Sequence, residues 1–222
     1  MERDIDLKKV SDGRLYDLND MVKADCRDCT GCSTCCRGMG SSIILDPLDV
    51  HRLRVHLGMT LEEMLDRQIE LNVVDGVILP DLKMSILTRG CSFLNKEGRC
   101  SIHAFRPGIC RLFPLGRLYE NGSFRYFIQI HECPHPARGK VKVKKWIDTP
   151  DPKRYEKFVN DWHYFVKDFQ NLSRETQDVE LSKTLSMYLL RAFYLKPFGD
   201  DFYGEFDERL EAGREILDRT GR

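Results

Sequence analysis

Nine cysteines constrain this chain more than any other feature, because of where they fall. Five stand close together at Cys26, Cys29, Cys32, Cys35 and Cys36. Four more follow at Cys91, Cys100, Cys110 and Cys133, and the last 89 residues hold none. A disulfide framework distributes its cysteines along the chain it staples and consumes them in pairs. An odd number crowded into two blocks fits thiolates gathered on metal better than bridges. From Cys26 to Cys35 every third residue is a thiol, and Thr30, Gly31, Ser33 and Thr34 keep the gaps small. A C-x2-C step lets two sulfurs reach one ion or cluster while the amides between them turn toward the sulfurs.

The spacing leaves two chemistries open. The run is similar to the C-x2-C-x2-C stretch of ferredoxins, whose fourth ligand is a cysteine followed by proline, and Cys133-Pro134 is such a dipeptide. The same donors also make a tetrahedral zinc site. One 4Fe-4S cluster or one zinc takes four cysteines, so nine allow two sites or one site with thiols to spare. Adjacent Cys35 and Cys36 point in different directions in most backbone conformations, so they can serve different metals or different irons. Candidate cluster ligands are Cys29, Cys32, Cys35, Cys36, Cys91, Cys100, Cys110 and Cys133, and Cys26 joins them as a metal-binding candidate. His103, His131 and His135 stand beside cysteines as lesser candidates. His51, His56 and His163 lie on helical segments and read as structural. Arg37, Arg106 and Arg111 recur near the thiols, either to neutralise a thiolate cluster, to hold an anion, or simply as salt-bridge partners.

The rest of the composition narrows the class. The chain has 222 residues, 41% hydrophobic and 32% charged, an ordinary globular balance. Lys+Arg and Asp+Glu are 35 each, and this neutrality gives no global pull toward nucleic acid or an anionic membrane. The first residues alternate in charge and show no secretory pattern, and the apolar stretch from Met187 to Leu195 is broken by Arg191. The expectation is therefore a cytoplasmic protein with reduced thiols, no membrane association and no nucleic-acid partner. Arg138 to Lys145 alternates like a solvated edge strand. No G-x-G-x-x-G, P-loop, H-E-x-x-H or G-x-S-x-G motif is present, so the catalytic residues are unknown.

Local signals predict an α+β fold: an irregular, metal-organised cysteine core with short helices and a β-hairpin, followed by C-terminal helices. Residues 1–25 read as a lead-in, 26–136 as the cysteine-cluster metal-binding domain, and 137–222 as a helical region packed on it. Ile43 to Leu45 reads as a short strand. Asp46-Pro47 starts a helix bearing Val50, Leu53 and Leu57, and Gly58 ends it. Thr60 and Glu63 form a capping box for a helix running to Ile69. Val73 to Leu79 and Met84 to Leu87 look extended, punctuated by Gly76 and Pro80. Asn121-Gly122 marks a hairpin turn. Tyr155 to Phe169 carries an amphipathic aromatic stripe, Ser173 is placed as the cap of a helix bearing Leu181 to Ala192, and a short helix is expected over Phe206 to Leu217.

Four blocks in order resemble a known family. Cys29-Thr-Gly-Cys32-Ser-Thr-Cys35-Cys36 is similar to the C-x2-C-x2-C-C signature of the YkgJ-like cysteine-cluster proteins, described as candidate zinc- or iron-chelating domains. Cys91-Ser-Phe-Leu, Gly98-Arg-Cys100-Ser-Ile-His and Arg106-Pro-Gly-Ile-Cys110-Arg-Leu-Phe-Pro resemble that family's later blocks. Cys26 precedes its usual signature, and His103 stands where tyrosine is more usual. The resemblance implies a metal- or iron–sulfur-binding domain, distantly similar to the cysteine cluster of flagellin lysine N-methylase. The leading expectation is an iron–sulfur protein whose cluster serves electron transfer, redox sensing or assistance to a modification reaction, with an unknown redox or protein partner. The alternatives are a zinc-stabilised interaction module and a methyltransferase-like enzyme.

Overall fold

A computed structural model describes residues 6–26, 32–135, 138–176 and 178–220. In chain order its elements are α1 (Leu7–Val10), β1 (Met21–Asp25), α2 (Pro47–Leu57), α3 (Leu61–Leu65), β2 (Ile69–Val74) and β3 (Val77–Leu82). Then come α4 (Gly108–Leu112), β4 (Leu115–Glu120), β5 (Ser123–Ile128), β6 (Gly139–Lys142) and α5 (Val143–Ile147). Three long helices follow: α6 (Pro152–Thr176), α7 (Val179–Leu190), extended by a π turn over Arg191–Leu195, and α8 (Phe202–Thr220). The fold is α+β, with three separate two-stranded antiparallel ribbons: β1 with β6, β2 with β3, and β4 with β5.

The chain divides into two units that are discontinuous in sequence. One contains Ile44–Leu82 and Glu156–Arg222; the other contains Glu2–Ile43 and Lys83–Tyr155. In the first, the aromatic stripe does what its spacing predicts. Phe158, Trp162, Phe165 and Phe169 of α6 are buried, with Phe158 4.7 Å from Phe206 of α8 and Trp162 5.0 Å from Phe193 of the π turn. Asp46 caps α2 with a capping box to Asp49, Gly58 ends it at φ 64°, and Thr60 and Glu63 cap α3 as expected.

Several expectations are corrected here. The helix from Leu61 stops at Leu65, and Ile69 opens strand β2, where it is fully buried. Pro80 does not interrupt β3. It sits opposite Leu71 within the ribbon, and its carbonyl accepts from Leu45 N–H at 2.9 Å. Ile43 to Leu45 contributes only a single bridge, Ile44 to Asp81, rather than a strand. Ser173 lies inside α6, where its hydroxyl donates to Gly76 O at 2.9 Å, and the cap of α7 is Asp178, which accepts from Glu180 and Leu181 N–H. The last helix is longer than expected, 19 residues.

In the second unit, Asn121 and Gly122 both take positive φ, 51° and 76°, which is what a type I′ turn between β4 and β5 requires. The lead-in is integral to this unit: Val22 and Ala24 of β1 are buried, and Tyr16 pairs with Tyr126 of β5. The basic stretch is strand only through Lys142; from Val143, which is fully buried, it turns into α5. Met84 makes one bridge to Cys91, and the following residues form a turn, not a strand.

One buried carboxyl makes the first unit pH-sensitive. Asp81 is fully buried; Asn72 Nδ2 donates to its Oδ2 at 3.0 Å, while Oδ1 has no partner among the described residues. Burial pushes it up to about 6, against the Asn72 hydrogen bond and with help from Glu70. A folded-state value above the unfolded one favours the neutral form. Its contribution is therefore complete below the ordinary carboxylate range and lost as pH rises through about 6. Urea unfolding at pH 4.5, 6 and 7.5 should show the wild type losing about 2 kcal/mol from this group across that range. Asp81→Asn should flatten that slope and be the more stable protein at pH 7.5; parallel pH profiles would refute the assignment.

Candidate metal centre

Two short backbone segments bring the cysteine blocks together. Thr34–Cys36 forms one 3-10 turn. Beyond it, Cys36 O accepts from Cys91 N–H at 2.8 Å, Gly38 N–H donates to Arg89 O at 2.8 Å, and Arg37 bridges Gly90 in antiparallel register. Gly38 adopts φ 69°, a conformation that glycine takes without strain.

Cys91 and Cys100 are joined by a tight loop. Leu94 bridges Cys100, Asn95 N–H donates to Arg99 O at 2.9 Å, and Gly98 turns the chain at φ 72°. The backbone amides two residues on, of Phe93 and Ile102, donate to the sulfurs of Cys91 and Cys100 respectively. Amides aimed at sulfur favour thiolates, which is the form a metal takes.

Electrostatics tie three of these thiols into one group. Burial pushes Cys91 and Cys100 up, and both feel the charge of Cys36. Cys36 moves the other way, to about 7: the Cys35 thiol donates to it, burial opposes this, and Arg106, Arg37 and Arg99 stabilise its thiolate. Cys35, Cys36, Cys91 and Cys100 thus share one neighbourhood drawn from both blocks.

The other candidates are placed as follows. Cys26 is buried just after β1, Cys32 Sγ lies 3.6 Å from Thr34 Oγ1, Cys110 lies on α4, and Cys133 is half-buried in an irregular stretch. Cys29 falls outside the described residues. None of the eight described cysteines is in a disulfide. Among the described residues, no three Cys, His, Asp or Glu side chains stand in ion-binding geometry. His103 is contacted by Arg106 Nη1, 2.9 Å from Nδ1. His135 Nδ1 is buried with no hydrogen-bond partner among the described residues, as a ring nitrogen with ligand capacity would be.

The three arginines separate into two roles. Arg37 and Arg106 act on Cys36, whereas Arg111 is a structural clip. Only 8% exposed, Arg111 donates to Arg106 O at 3.1 Å, Asp148 O at 2.9 Å and Ala104 O. Arg99 was missed by sequence reasoning. Its signal was position, directly before Cys100.

A family model described as "Putative zinc- or iron-chelating domain" matches residues 28–134. No curated protein and no solved structure matches the chain significantly. No described helix is long and apolar enough to cross a membrane.

In metal-free protein, alkylation of Cys36 should reach half its maximal rate near pH 7, while Cys91 and Cys100 react only at higher pH. Peptide mapping after iodoacetamide treatment checks this. Cys35→Ala should move the Cys36 profile upward; an unmoved profile would show that the Cys35 hydrogen bond is not the cause.

Proposed function

We propose that this chain is a cytoplasmic iron–sulfur protein, a reading supported by the match of a zinc- or iron-chelating family model to residues 28–134. Its cluster serves electron transfer, redox sensing or assistance to a modification reaction. The observation that carries this reading is that Cys36 is bonded through its carbonyl to Cys91 N–H and lies within charge range of Cys91, Cys100, Arg37, Arg99 and Arg106. Cys36, Cys91 and Cys100 are the first ligands, and Cys35 stands hydrogen-bonded beside them. Cys26, Cys29, Cys32, Cys110 and Cys133 complete the donor set, with His135 as the nitrogen candidate.

When bound, a 4Fe-4S cluster supplies a one-electron couple. The protein's contribution is electrostatic. The arginines offset the negative charge of a thiolate-bound cluster, and the Phe93 and Ile102 amides donate to its sulfur ligands; both effects favour the reduced form. Half-burial of the three cysteines limits contact with water.

Zinc is the second reading, and one observation favours it. Between Lys83 and Arg111 only Phe93 and Ile102 are buried hydrophobic residues. Such a segment holds little core of its own, and a structural ion would substitute for it.

Iron, acid-labile sulfide and zinc per chain, measured on anaerobically purified protein with a visible spectrum, test both readings. The expected result is about four irons and four sulfides with a brown absorption that dithionite bleaches reversibly. Cys36→Ser, Cys91→Ser and Cys100→Ser should each reduce iron content severalfold. Stoichiometric zinc without sulfide would overturn the redox reading in favour of the zinc-stabilised module.

A further inference from the structure

The zero net charge is a sum over two unlike units. Glu2–Ile43 and Lys83–Tyr155 carry 22 Lys and Arg against 13 Asp and Glu, whereas Ile44–Leu82 and Glu156–Arg222 carry 13 against 22. Within the cysteine unit the imbalance is concentrated. Residues 32–43 and 83–113 contain seven Lys and Arg, all but Arg111 outside the buried set, and Glu97 is their sole acid. Surface charges act over about one Debye length, about 8 Å in physiological salt, so neutrality of the chain as a whole does not cancel such a local field.

In the middle of this cationic segment stand two aliphatic side chains that no described residue covers. Ile86 and Leu87 are each 95% exposed, the most exposed large hydrophobic residues described. The turn that displays them is tightly bonded. Arg89 N–H donates to Ser85 O and Ser85 N–H to Gly90 O, both at 2.8 Å, and Thr88 N–H donates to Ser85 Oγ at 3.2 Å. Its base is tied to the other cysteine block through Gly38 N–H to Arg89 O. Exposed Arg89 closes the turn, exposed Arg37 bridges Gly90 at its base, and Lys83 precedes it.

We propose that the Ile86–Leu87 tip and the cations at its base form a docking face for an anionic phospholipid bilayer. The arrangement matches the two layers of such a surface. Protruding apolar side chains enter the acyl boundary, and cations one turn behind them lie level with the phosphates. A protein partner would need a preformed pocket walled around both side chains and lined with acid, whereas a bilayer adapts to any protruding tip. Charge complementarity and the paired apolar tip both favour the bilayer. The face shares Arg37 with the thiol group, and it stands whether the cysteines hold iron or zinc.

The test uses the full metal-loaded chain and vesicles of phosphatidylcholine, with and without phosphatidylglycerol. Co-sedimentation is expected with the anionic vesicles only, weakening as salt is raised. Ile86→Ser combined with Leu87→Ser should lower partitioning at least about tenfold, and Arg89→Gln should lower it a few-fold. Both variants should keep the metal content and circular dichroism of the parent, since they alter exposed side chains. Equal binding by the double variant would overturn the proposal. So would a failure of natively folded, metal-loaded protein to bind anionic vesicles, which would return the face to a protein partner.

Discussion

The two cysteine blocks are joined by a few backbone hydrogen bonds, those from Cys91 N–H to Cys36 O and from Gly38 N–H to Arg89 O. Between these segments the chain leaves the unit altogether, since Ile44–Leu82 belongs to the other one. The ends of that excursion are already held together in the other unit, by Leu45 N–H to Pro80 O and the Ile44–Asp81 bridge, which lowers the closure entropy left to the cysteine blocks. Their own two or three hydrogen bonds are worth about 1 kcal/mol each. A metal bridging sulfurs from both sides would add far more, which is the physical case for metal as part of this unit's fold.

Charge is organised on two scales. Close to the thiols, Arg37, Arg99 and Arg106 stabilise the Cys36 thiolate, and the amides of Phe93 and Ile102 do the same for Cys91 and Cys100. Across the chain, the cysteine unit holds the excess of cations and the other unit the excess of anions. The net charge of zero conceals both patterns.

Where the sequence was read correctly, the physics was local. The Asp46 and Thr60 caps, the Gly58 stop and the Asn121-Gly122 turn each depend on residues within a few positions of one another. The stripe from Tyr155 to Phe169 was visible because helical period is itself a sequence property. Where the reading failed, a distant partner decided the outcome. Ser173 has a capping residue's chemistry, but Gly76 O, 97 positions away in sequence, claims its hydroxyl. Ile69 fits a helical face and is instead paired with Leu82 in a ribbon. Pro80 looks like punctuation, yet a two-stranded ribbon tolerates it because residues opposite each other do not all exchange hydrogen bonds.

The same division runs through the candidate site. Sequence alone placed the thiols in two blocks and gave them the spacing that a zinc- or iron-chelating family model matches over residues 28–134, because residue type and spacing are one-dimensional facts. Only the tertiary structure decided that Cys36 meets Cys91 and Cys100, and that Arg111 clips backbone carbonyls while Arg37 and Arg106 serve the thiols. It also decided that residues 44–82 belong with the C-terminal helices. Each of these depends on which distant segments pair, and pairing is set by the free energy of the whole fold rather than by neighbours in sequence.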